Sequence, residues 1–283
     1  MNIQLDDIRD DIQRAVTIAL KEDIGTGDIT AQLIPADKTD TATIITREDC
    51  LICGSAWVDE TYRQLDRNIQ LEWHVNDGDY VQANTTLVTL SGNSRALLTG
   101  ERTALTFLQL LSGVATKAHQ YKHALGDSPI QLLDTRKTIP GLRSAQKYAV
   151  AAGGCHNHRI GLFDAYLIKE NHIAACGSIE NAITTAKQLN PGKLVEVEVE
   201  SIDELKQALN CGADVIMLDN FDEATLEEAQ KLDKGKAKYE LSGNMLLADI
   251  GRFKAFGIDY ISFGALTKSV DPVDLSFRIS VTR

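Results

Sequence analysis

The sequence predicts an α/β protein of two domains, and two observations carry this prediction. Within residues 42 to 92, the β-rich runs LEWHV and TTLVTLSG flank the turn signal NDGDYV, which is typical of a small antiparallel sheet. Beyond residue 130, apolar runs alternate with helical stretches, and the last four runs lie roughly twenty to twenty-four residues apart. That spacing indicates consecutive βα units in a parallel sheet or barrel.

The remaining elements follow from hydrophobic periodicity. Residues 5 to 21 carry apolar side chains at helical spacing and predict a first helix. Residues 94 to 125 are helical again, with a break predicted near Gly113, where we place the domain boundary. The closing run DLSFRISV alternates like an edge strand and is expected to return to the N-terminal sheet. Six strands are predicted beyond residue 130: QLLDT, AYLIKEN, LVEVEVE, VIMLDNF, YELSGN and YISFGA.

Composition excludes several classes of protein. The chain of 283 residues has a net charge of -11, which argues against a nucleic-acid-binding protein, whose surface would be basic. The N-terminal run MNIQLDDIRDDIQRAV is acidic and amphipathic, unlike a signal or transit peptide, and no run has the length of a membrane span. We therefore expect a cytoplasmic protein without membrane contact.

The cysteines do not predict a disulfide framework. There are five of them, an odd number, scattered over a long chain. Cys50 and Cys53 form a CxxC pair, but a zinc site needs a second pair of ligands at suitable spacing. Two thiols packed in a strand are therefore favoured over a metal or redox site.

One stretch reverses the acidic balance of the chain. From Arg136 through Lys169 there are six Lys or Arg residues and one acid, Asp164, which indicates a site for an anion. A lone histidine such as His158 is often a surface residue, but here it adjoins Arg159. Guanidinium groups bind planar carboxylates through paired hydrogen bonds. Several cationic groups together imply two carboxylates, or one carboxylate with phosphates.

Polar and glycine residues end each predicted βα strand, and a barrel gathers such ends on one face. In VEVEVE, Glu196, Glu198 and Glu200 share one strand face. A solvated face is the alternative, but flanking helices favour an interior one. Inward carboxylates need cations, either lysines or a divalent metal, and Asp219 on the next strand adds an oxygen ligand that Mg²⁺ prefers.

Glycines at the ends of the last two strands indicate a phosphate site. They lie in SGN, residues 242 to 244, and in FGA, residues 263 to 265. Backbone N–H groups at glycines approach a ligand closely, and the last barrel strands commonly bind phosphate. One such turn is weak evidence, whereas two on adjacent strands are stronger.

The motifs together resemble the quinolinate phosphoribosyltransferase family, the carboxylating nicotinate-nucleotide pyrophosphorylases. The runs that carry the resemblance are GERTALTFLQLLSGVAT, LLDTRKTIPGLR, NHRIGLFDAYLIKENHI, VEVEVE, VIMLDNF, ELSGN and ISFGALTKS. The resemblance implies an N-terminal α/β sandwich at residues 1–113, completed by residues 272–283, and a seven-stranded α/β barrel at residues 114–271. It also implies a homodimer with shared active sites, and Mg²⁺-dependent transfer of phosphoribosyl from phosphoribosyl pyrophosphate to quinolinate. The products would be nicotinate mononucleotide, pyrophosphate and carbon dioxide, in NAD biosynthesis.

The resemblance also implies roles for individual residues. Lys137, Lys169, Glu198 and Asp219 would be catalytic, with Mg²⁺ held through Glu198 and Asp219, directly or through water and pyrophosphate. Quinolinate would be held by Arg136, His158, Arg159 and Lys169, with Arg102 supplied by the partner subunit. The remaining substrate contacts would come from Thr135, Ser242, Gly243, Asn244, Phe263, Gly264 and Ala265.

Two positions depart from the family pattern, and three other functions remain open. The third glycine before NHR is replaced by Cys155, followed by His156, and Thr106 stands where many relatives have Asn. A related pyrophosphorylase could act on nicotinate or another aromatic acid. Lys169 at a strand end would also suit a Schiff-base aldolase. The turn NDGDYV resembles that of a lipoyl-type carrier domain, although no lysine lies in it.

Overall fold

A computed structural model describes residues 2–243, 245 and 247–280 of the chain. The chain forms two compact units. The first comprises Met1–Gln120, Lys137–Gly154 and Ala265–Arg283, and the second comprises Tyr121–Arg136 and Cys155–Gly264. Among the described residues, no helix combines the length and the apolar character needed to cross a membrane.

The helices fall into α-helices and short 3₁₀ segments. The α-helices are α1 (Arg9–Ile24), α2 (Ser55–Leu65), α3 (Ser94–Leu125), α4 (Arg143–Ala152), α5 (Glu170–Cys176), α6 (Ile179–Leu189), α7 (Ile202–Asn210), α8 (Glu223–Ala229) and α9 (Ala265–Lys268). The 3₁₀ segments are Leu5–Ile8, Ala31–Leu33 and Leu247–Ala255.

The strands divide between antiparallel and parallel sheets. The strands of the antiparallel sheets are β1 (Thr39–Thr46), β2 (Cys50–Leu51), β3 (Gln70–Trp73), β4 (Tyr80–Val81), β5 (Thr86–Asn93) and, after the parallel strands, β12 (Leu275–Ser280). The parallel strands are β6 (Gln131–Leu133), β7 (Tyr166–Ile168), β8 (Val195–Val199), β9 (Val215–Asp219), β10 (Lys238–Ser242) and β11 (Tyr260–Ser262).

The first unit is built on a four-stranded antiparallel sheet of order β12-β1-β5-β3. The C-terminal strand β12 pairs with β1 from Thr41↔Ser280 to Thr46↔Leu275, where the alternation of DLSFRISV placed it. Sequence analysis missed α2, which lies within the region predicted as sheet. Its fully buried Tyr62 packs in the same core as sheet residues such as Ile44. The two thiols of Cys50 and Cys53 are free and buried.

The break predicted near Gly113 is wrong, because α3 runs unbroken from Ser94 to Leu125. Glycine in a helix costs about 1 kcal/mol relative to alanine, so its presence needs a reason. A Cβ atom at Gly113 would lie 2.2 Å from the carbonyl oxygen of Asp271. The glycine therefore lets the C-terminal segment pass directly against the helix.

The second unit contains a parallel sheet of order β7-β8-β9-β10-β11-β6. All six strands correspond to runs predicted from the sequence. The first parallel strand of the chain, β6, pairs with the last, β11, which is the strand order of an α/β barrel. A parallel bridge between Leu133 and His156 continues the sheet beyond β6. The bridge is a single residue pair, so the described residues form six parallel strands, and the seventh strand implied by the resemblance stays a prediction.

Candidate active site

The register of the parallel strands places the predicted site residues Lys169, Glu198 and Asp219 at nearly the same level of the sheet. Ile168 pairs with Val197, so that Lys169 follows directly beside Glu198. Asp219 pairs with Ser242 at the ends of β9 and β10. Carboxyl ends of parallel strands are where α/β proteins bind ligands, because the chain turns into a helix there and leaves polar groups exposed.

Lys169 and Glu198 form an ion pair at this level. The ammonium Nζ of Lys169 donates to Oε2 of Glu198. The Lys169 side chain is 43% exposed, whereas the Glu198 side chain is 9% exposed. The pair therefore combines a nearly buried carboxylate with a cation that solvent, or a substrate, can reach.

A second cluster of charge lies deeper between β8 and β10. Nε2 of His158 lies 3.1 Å from Oε2 of Glu196 and 3.5 Å from Oε2 of Glu240. Both glutamate side chains are almost completely buried. Neither was predicted as a site residue, although the alternation of VEVEVE indicated Glu196. Glu240 shares its strand parity with Ser242, which was predicted, and that parity is the signal that could have found it.

The electrostatics of this cluster favour retained protons. Burial alone would lower the pKa of His158, but hydrogen bonds to Glu196 and Glu240 raise that pKa to about 10. Burial, together with the charge of Glu240, raises the pKa of Glu196. In a coupled cluster the proton belongs to the group rather than to one residue. His158 and Glu196 together therefore hold an additional proton at neutral pH. That proton lies between Nε2 of His158 and the carboxylate of Glu196, because Nδ1 of His158 accepts a hydrogen bond from the backbone N–H of Arg159.

A buried aspartate fixes the segment that carries His158. Asp134, which is fully buried, follows β6. Its carboxylate accepts hydrogen bonds from the backbone N–H of His158, at 2.8 Å, and from Nδ2 of Asn157, at 2.7 Å. His156 is hydrogen-bonded to the backbone on both sides of Leu133, so the segment after Cys155 runs as a regular parallel bridge. The replacement of glycine by Cys155, whose side chain is buried, leaves this path intact.

Two guanidinium groups of the second unit have buried nitrogens that no acceptor engages. The Nε atoms of Arg136 and Arg159 are buried and have no hydrogen-bond partner among the described residues. Nη1 of Arg159 donates to the carbonyl oxygen of Ala165 at 2.9 Å. Burial and the positive charge of Arg136 lower the pKa of Arg159. Two neighbouring cations with unsatisfied donors form a site prepared for an anion, since buried donors normally have acceptors.

The ends of β9 and β10 are linked through Asn220. Its Nδ2 donates to Oδ2 of Asp219 at 3.0 Å, and its backbone N–H donates to the carbonyl oxygen of Ser242 at 3.1 Å. Gly243 has φ +146°, and a Cβ atom there would lie 3.0 Å from Oδ1 of Asn220. Glycine is therefore required at this turn. The predicted ligand Asn244 lies outside the described residues.

Phe263 and Gly264 follow β11, as predicted, and Thr135 follows Asp134 after β6. The Phe263 ring is buried and packs edge-on against Tyr121, with centroids 4.9 Å apart. Its side chain therefore belongs to the core, which leaves the backbone at this turn as the part that could contact a phosphate.

The first unit carries the other predicted residues. Arg102 is exposed on α3, where it lines a cavity of about 420 Å³ together with Thr106. Lys137 is exposed, and its carbonyl oxygen accepts from Oγ1 of Thr267 at 2.8 Å. Ala265 begins α9. Nothing in the first unit explains the replacement of Asn by Thr106.

Two family models cover most of the chain. Residues 28–112 match the model described as quinolinate phosphoribosyl transferase, N-terminal domain. Residues 114–278 match the model described as quinolinate phosphoribosyl transferase, C-terminal domain.

Individual relatives match over nearly their whole length. The chain is 43% identical to the probable nicotinate-nucleotide pyrophosphorylase [carboxylating] of Bacillus subtilis, over 92% of this chain and 91% of the relative. The solved structure of the nicotinate-nucleotide pyrophosphorylase from Francisella tularensis is similar with a TM-score of 0.91 and 49% identity, covering 96% of each chain. NadC from Streptococcus pyogenes is similar with a TM-score of 0.92 and 36% identity, covering 99% of each chain.

Proposed function

Because the chain belongs to the quinolinate phosphoribosyltransferase family, we propose that it transfers phosphoribosyl from phosphoribosyl pyrophosphate to quinolinate. The enzyme is a carboxylating nicotinate-nucleotide pyrophosphorylase of de novo NAD biosynthesis. Its products are nicotinate mononucleotide, pyrophosphate and carbon dioxide. A cytoplasmic location remains a prediction from composition.

Two half-buried arginines, Arg136 and Arg159, carry the assignment of a diacid to this site. Arg136 and Arg159 each have a buried Nε for which the described part of the chain supplies no acceptor. A carboxylate satisfies such donors through paired hydrogen bonds. The exposed part of Lys169 adds a third cation at the mouth of the site. Three cationic groups match the two carboxylates of quinolinate better than the single carboxylate of nicotinate.

The reaction requires fixed charges more than a proton-transferring base. The bond from ribose C1 to pyrophosphate breaks with its electron pair on pyrophosphate, and the ring nitrogen of quinolinate forms the new bond to C1. Positive charge develops on the sugar, and the carboxylates of Glu198 and Asp219 stabilise it. The 2-carboxyl group then leaves as carbon dioxide, its electrons remain on the ring carbon, and that carbon takes a proton from water.

The cations of the site stabilise the charge that appears on the substrates. Lys169 forms an ion pair with Glu198, and its exposed part can also contact the quinolinate carboxylates. Lys137 is exposed and can neutralise the departing pyrophosphate. The turn at Gly243 and the backbone around Gly264 offer N–H groups to the 5′-phosphate.

Magnesium fits the two acidic strand ends. Glu198 and Asp219 each engage one carboxylate oxygen within the protein, with Lys169 and Asn220 as the donors, and each keeps a second oxygen. Mg²⁺ usually binds one or two carboxylates together with water and substrate phosphates. When bound, the ion would neutralise the negative charge of the pyrophosphate leaving group. Glu198 and Asp219 would hold it, directly or through water.

The contacts of Lys169 disfavour the aldolase alternative. An amine nucleophile is activated by an apolar pocket or a neighbouring cation, either of which favours the neutral amine. Lys169 instead pairs with the carboxylate of Glu198. This environment is neither an apolar pocket nor a neighbouring cation, so it does not match that of a Schiff-base lysine.

The proposed reaction is tested by supplying both acids. The protein is incubated with phosphoribosyl pyrophosphate, Mg²⁺ and either quinolinate or nicotinate, and released carbon dioxide and mononucleotide are measured. We expect turnover of quinolinate with one carbon dioxide per mononucleotide. Turnover of nicotinate but not of quinolinate would contradict the substrate assignment.

We also propose a homodimer in which Arg102 of each subunit completes the site of the other. The support is that Arg102 is exposed on α3, beside a cavity large enough to admit protein side chains. Arg102→Ala and Lys137→Ala proteins should each be nearly inactive, and mixing them should restore activity as subunits exchange. Exchange without recovered activity would contradict shared sites.

A further inference from the structure

We propose that Glu196 and Glu240 are positioning residues of this enzyme. They act through His158 and thereby hold Arg159 in the orientation that receives a substrate carboxylate. This inference rests on the proposed function, since it assigns part of the affinity for quinolinate to two residues that do not contact quinolinate themselves.

Burial shows that the two glutamates need a hydrogen-bond donor. Their side chains are 3% and 1% exposed, and they project from β8 and β10, which flank β9 in the sheet. The Oε1 atoms of both glutamates are buried without a hydrogen-bond partner among the described residues. A buried carboxylate is costly unless a donor satisfies it. The shared donor is Nε2 of His158, so the histidine ring is drawn to one place between the two strands.

The other ring nitrogen links this cluster to Arg159. The backbone N–H of Arg159 donates to Nδ1 of His158 at 2.8 Å. Because Nδ1 accepts that hydrogen bond, Nε2 carries the hydrogen directed at the glutamates. Both nitrogens of His158 are thus engaged by the protein. His158, which was predicted to hold quinolinate itself, in this arrangement acts on the substrate through its neighbour.

These contacts fix the orientation of the Arg159 guanidinium. The backbone of Arg159 is fixed by His158, and Nη1 is fixed by the carbonyl oxygen of Ala165. These two contacts leave Nε buried, with no acceptor from the residues that the structure describes. A preorganised donor binds a carboxylate more tightly than a mobile one, because less conformational freedom is lost on binding.

The same three side chains could in principle bind a divalent metal, since their ligand atoms lie within 4.8 Å of one another. A metal needs the lone pair of Nε2, however, and Nδ1 already accepts from Arg159. A protonated Nε2 between two carboxylates is the arrangement that agrees with this contact. Metal binding is therefore an outcome that would count against the proposal.

The test compares isosteric variants of the cluster with a variant of another carboxylate in the same sheet. Glu240→Gln and Glu196→Gln remove charge without changing side-chain volume. Asp259→Asn is the matched control, because Asp259 pairs with Lys234 and Lys238 next to β11 in the same unit. We expect each glutamine variant to raise the KM for quinolinate about tenfold or more, with the KM for phosphoribosyl pyrophosphate changed by less than about twofold. The control should lower the melting temperature without separating the two KM values.

A double variant distinguishes positioning from loss of packing. His158→Asn keeps an acceptor near the Arg159 amide but is too short to reach both glutamates. If the glutamates act through His158, the double variant E240Q/H158N should raise the KM for quinolinate no further than the worse single variant. Additive effects would overturn the proposal. The proposal would also be overturned if the two KM values of the glutamine variants stayed within about twofold of the parent or rose together. It would equally be overturned if the parent protein bound one equivalent of Zn²⁺ or Mn²⁺ and E240Q did not.

The crystal structure of E240Q separates this proposal from the proposed function. We expect Arg159 to leave the carbonyl oxygen of Ala165 in that variant. If the parent protein fails to turn over quinolinate, the proposed function is wrong, and the position of Arg159 still decides the positioning role. An unmoved Arg159 would overturn that role even in an active enzyme.

Discussion

Polar side chains at the amino ends and at the carboxyl ends of the parallel strands differ in whether their hydrogen bonds are satisfied within the protein. At the amino ends, Asp259 accepts from Nζ of Lys234 at 2.6 Å, from Nζ of Lys238 at 2.8 Å and from the backbone N–H of Tyr239 at 3.0 Å. Asp214 likewise accepts from the N–H of Val195 at 2.8 Å. Beyond the carboxyl ends, by contrast, the buried Nε atoms of Arg136 and Arg159 lack partners among the described residues, and so do the Oε1 atoms of Glu196 and Glu240 inside β8 and β10. The buried hydroxyl of Tyr239 is an exception near the amino ends.

The difference separates stability from function within one set of strands. A satisfied ion pair lowers the free energy of the folded state and offers nothing to a ligand. An unsatisfied buried donor costs folding free energy, and this cost is recovered when a substrate supplies the acceptor. The polar groups at the amino ends of the strands therefore stabilise the sheet, while those at the carboxyl ends remain available to bind a substrate.

The largest effect on this comparison should come from Lys169→Met. The variant removes the cation at the carboxyl ends and leaves Glu198 without its partner. We expect kcat/KM for quinolinate to fall by about 10²–10³-fold, because a fixed charge is lost from the site. Steady-state kinetics measures the fall, and calorimetry should show a melting temperature that is lowered only modestly, because the nearly buried Glu198 loses its donor. A melting temperature that drops as steeply as the activity would show that this ion pair is structural.

The next effect is the dependence of stability on pH, which should have opposite signs for His158 and for Asp259. His158 and Glu196 share a proton in the folded protein, where the pKa of His158 is raised to about 10. The contribution of this pair to stability is therefore complete below the ordinary histidine value near 6.5 and is lost as pH rises toward 10. For Asp259, burial alone would raise the pKa, but hydrogen bonds from Lys234 and Lys238 hold it below the usual range. Its contribution is complete above the ordinary value of 3.8 and is lost as pH falls through the lowered pKa.

Unfolding free energies measured from pH 2 to 10 test this opposition. His158→Asn should flatten the decline between about pH 6.5 and 10, an effect of a few kcal/mol at most. Asp259→Asn should instead flatten the decline at the acidic end. Identical pH profiles for the two variants would break the comparison.

A smaller effect is expected for Asp259→Asn at neutral pH. Replacing the shared carboxylate leaves two lysines without an ionic partner at the partly exposed amino ends. We expect a loss of about 1–3 kcal/mol in the free energy of unfolding and unchanged kinetics. Urea unfolding measures the first and steady-state assays measure the second. A changed KM for either substrate would show that the amino ends are not purely structural.

The smallest effect should come from Ser201→Ala. Ser201 follows β8 at the carboxyl ends, and its Oγ accepts from the N–H of Glu204 as the N-cap of α7. We expect a loss of about 1 kcal/mol in the free energy of unfolding, typical of a lost N-cap, with kinetics unchanged. This variant sharpens the comparison by showing that a satisfied polar group contributes to stability at either end. Reduced activity at unchanged stability would instead place Ser201 in the site.

The sequence predicted the parallel strands well because each buried run is apolar and is bounded by helical periodicity. The pattern VEVEVE also indicated that carboxylates enter the interior. The sequence did not predict α2, because residues such as Tyr62 are also common in strands. It did not predict the unbroken α3 either, because the reason for a glycine at position 113 is the close approach of Asp271, which is distant in the sequence.

Of the site residues, Glu240 was hidden for a similar reason. A single acid in the run YELSGN is equally compatible with a solvated strand, and only the sheet places it beside His158. The link from Nδ1 of His158 to Arg159 depends on a side-chain rotamer, which no sequence pattern specifies.

The pairing of β12 with β1 has a consequence for how the chain is made. The two strands are far apart in the chain, so β1 has no neighbour on that side until residues 275 to 280 have left the ribosome. During synthesis the nascent N-terminal sheet therefore presents a bare edge that could recruit strands from other chains. Completion of the first unit thus waits for the synthesis of β12.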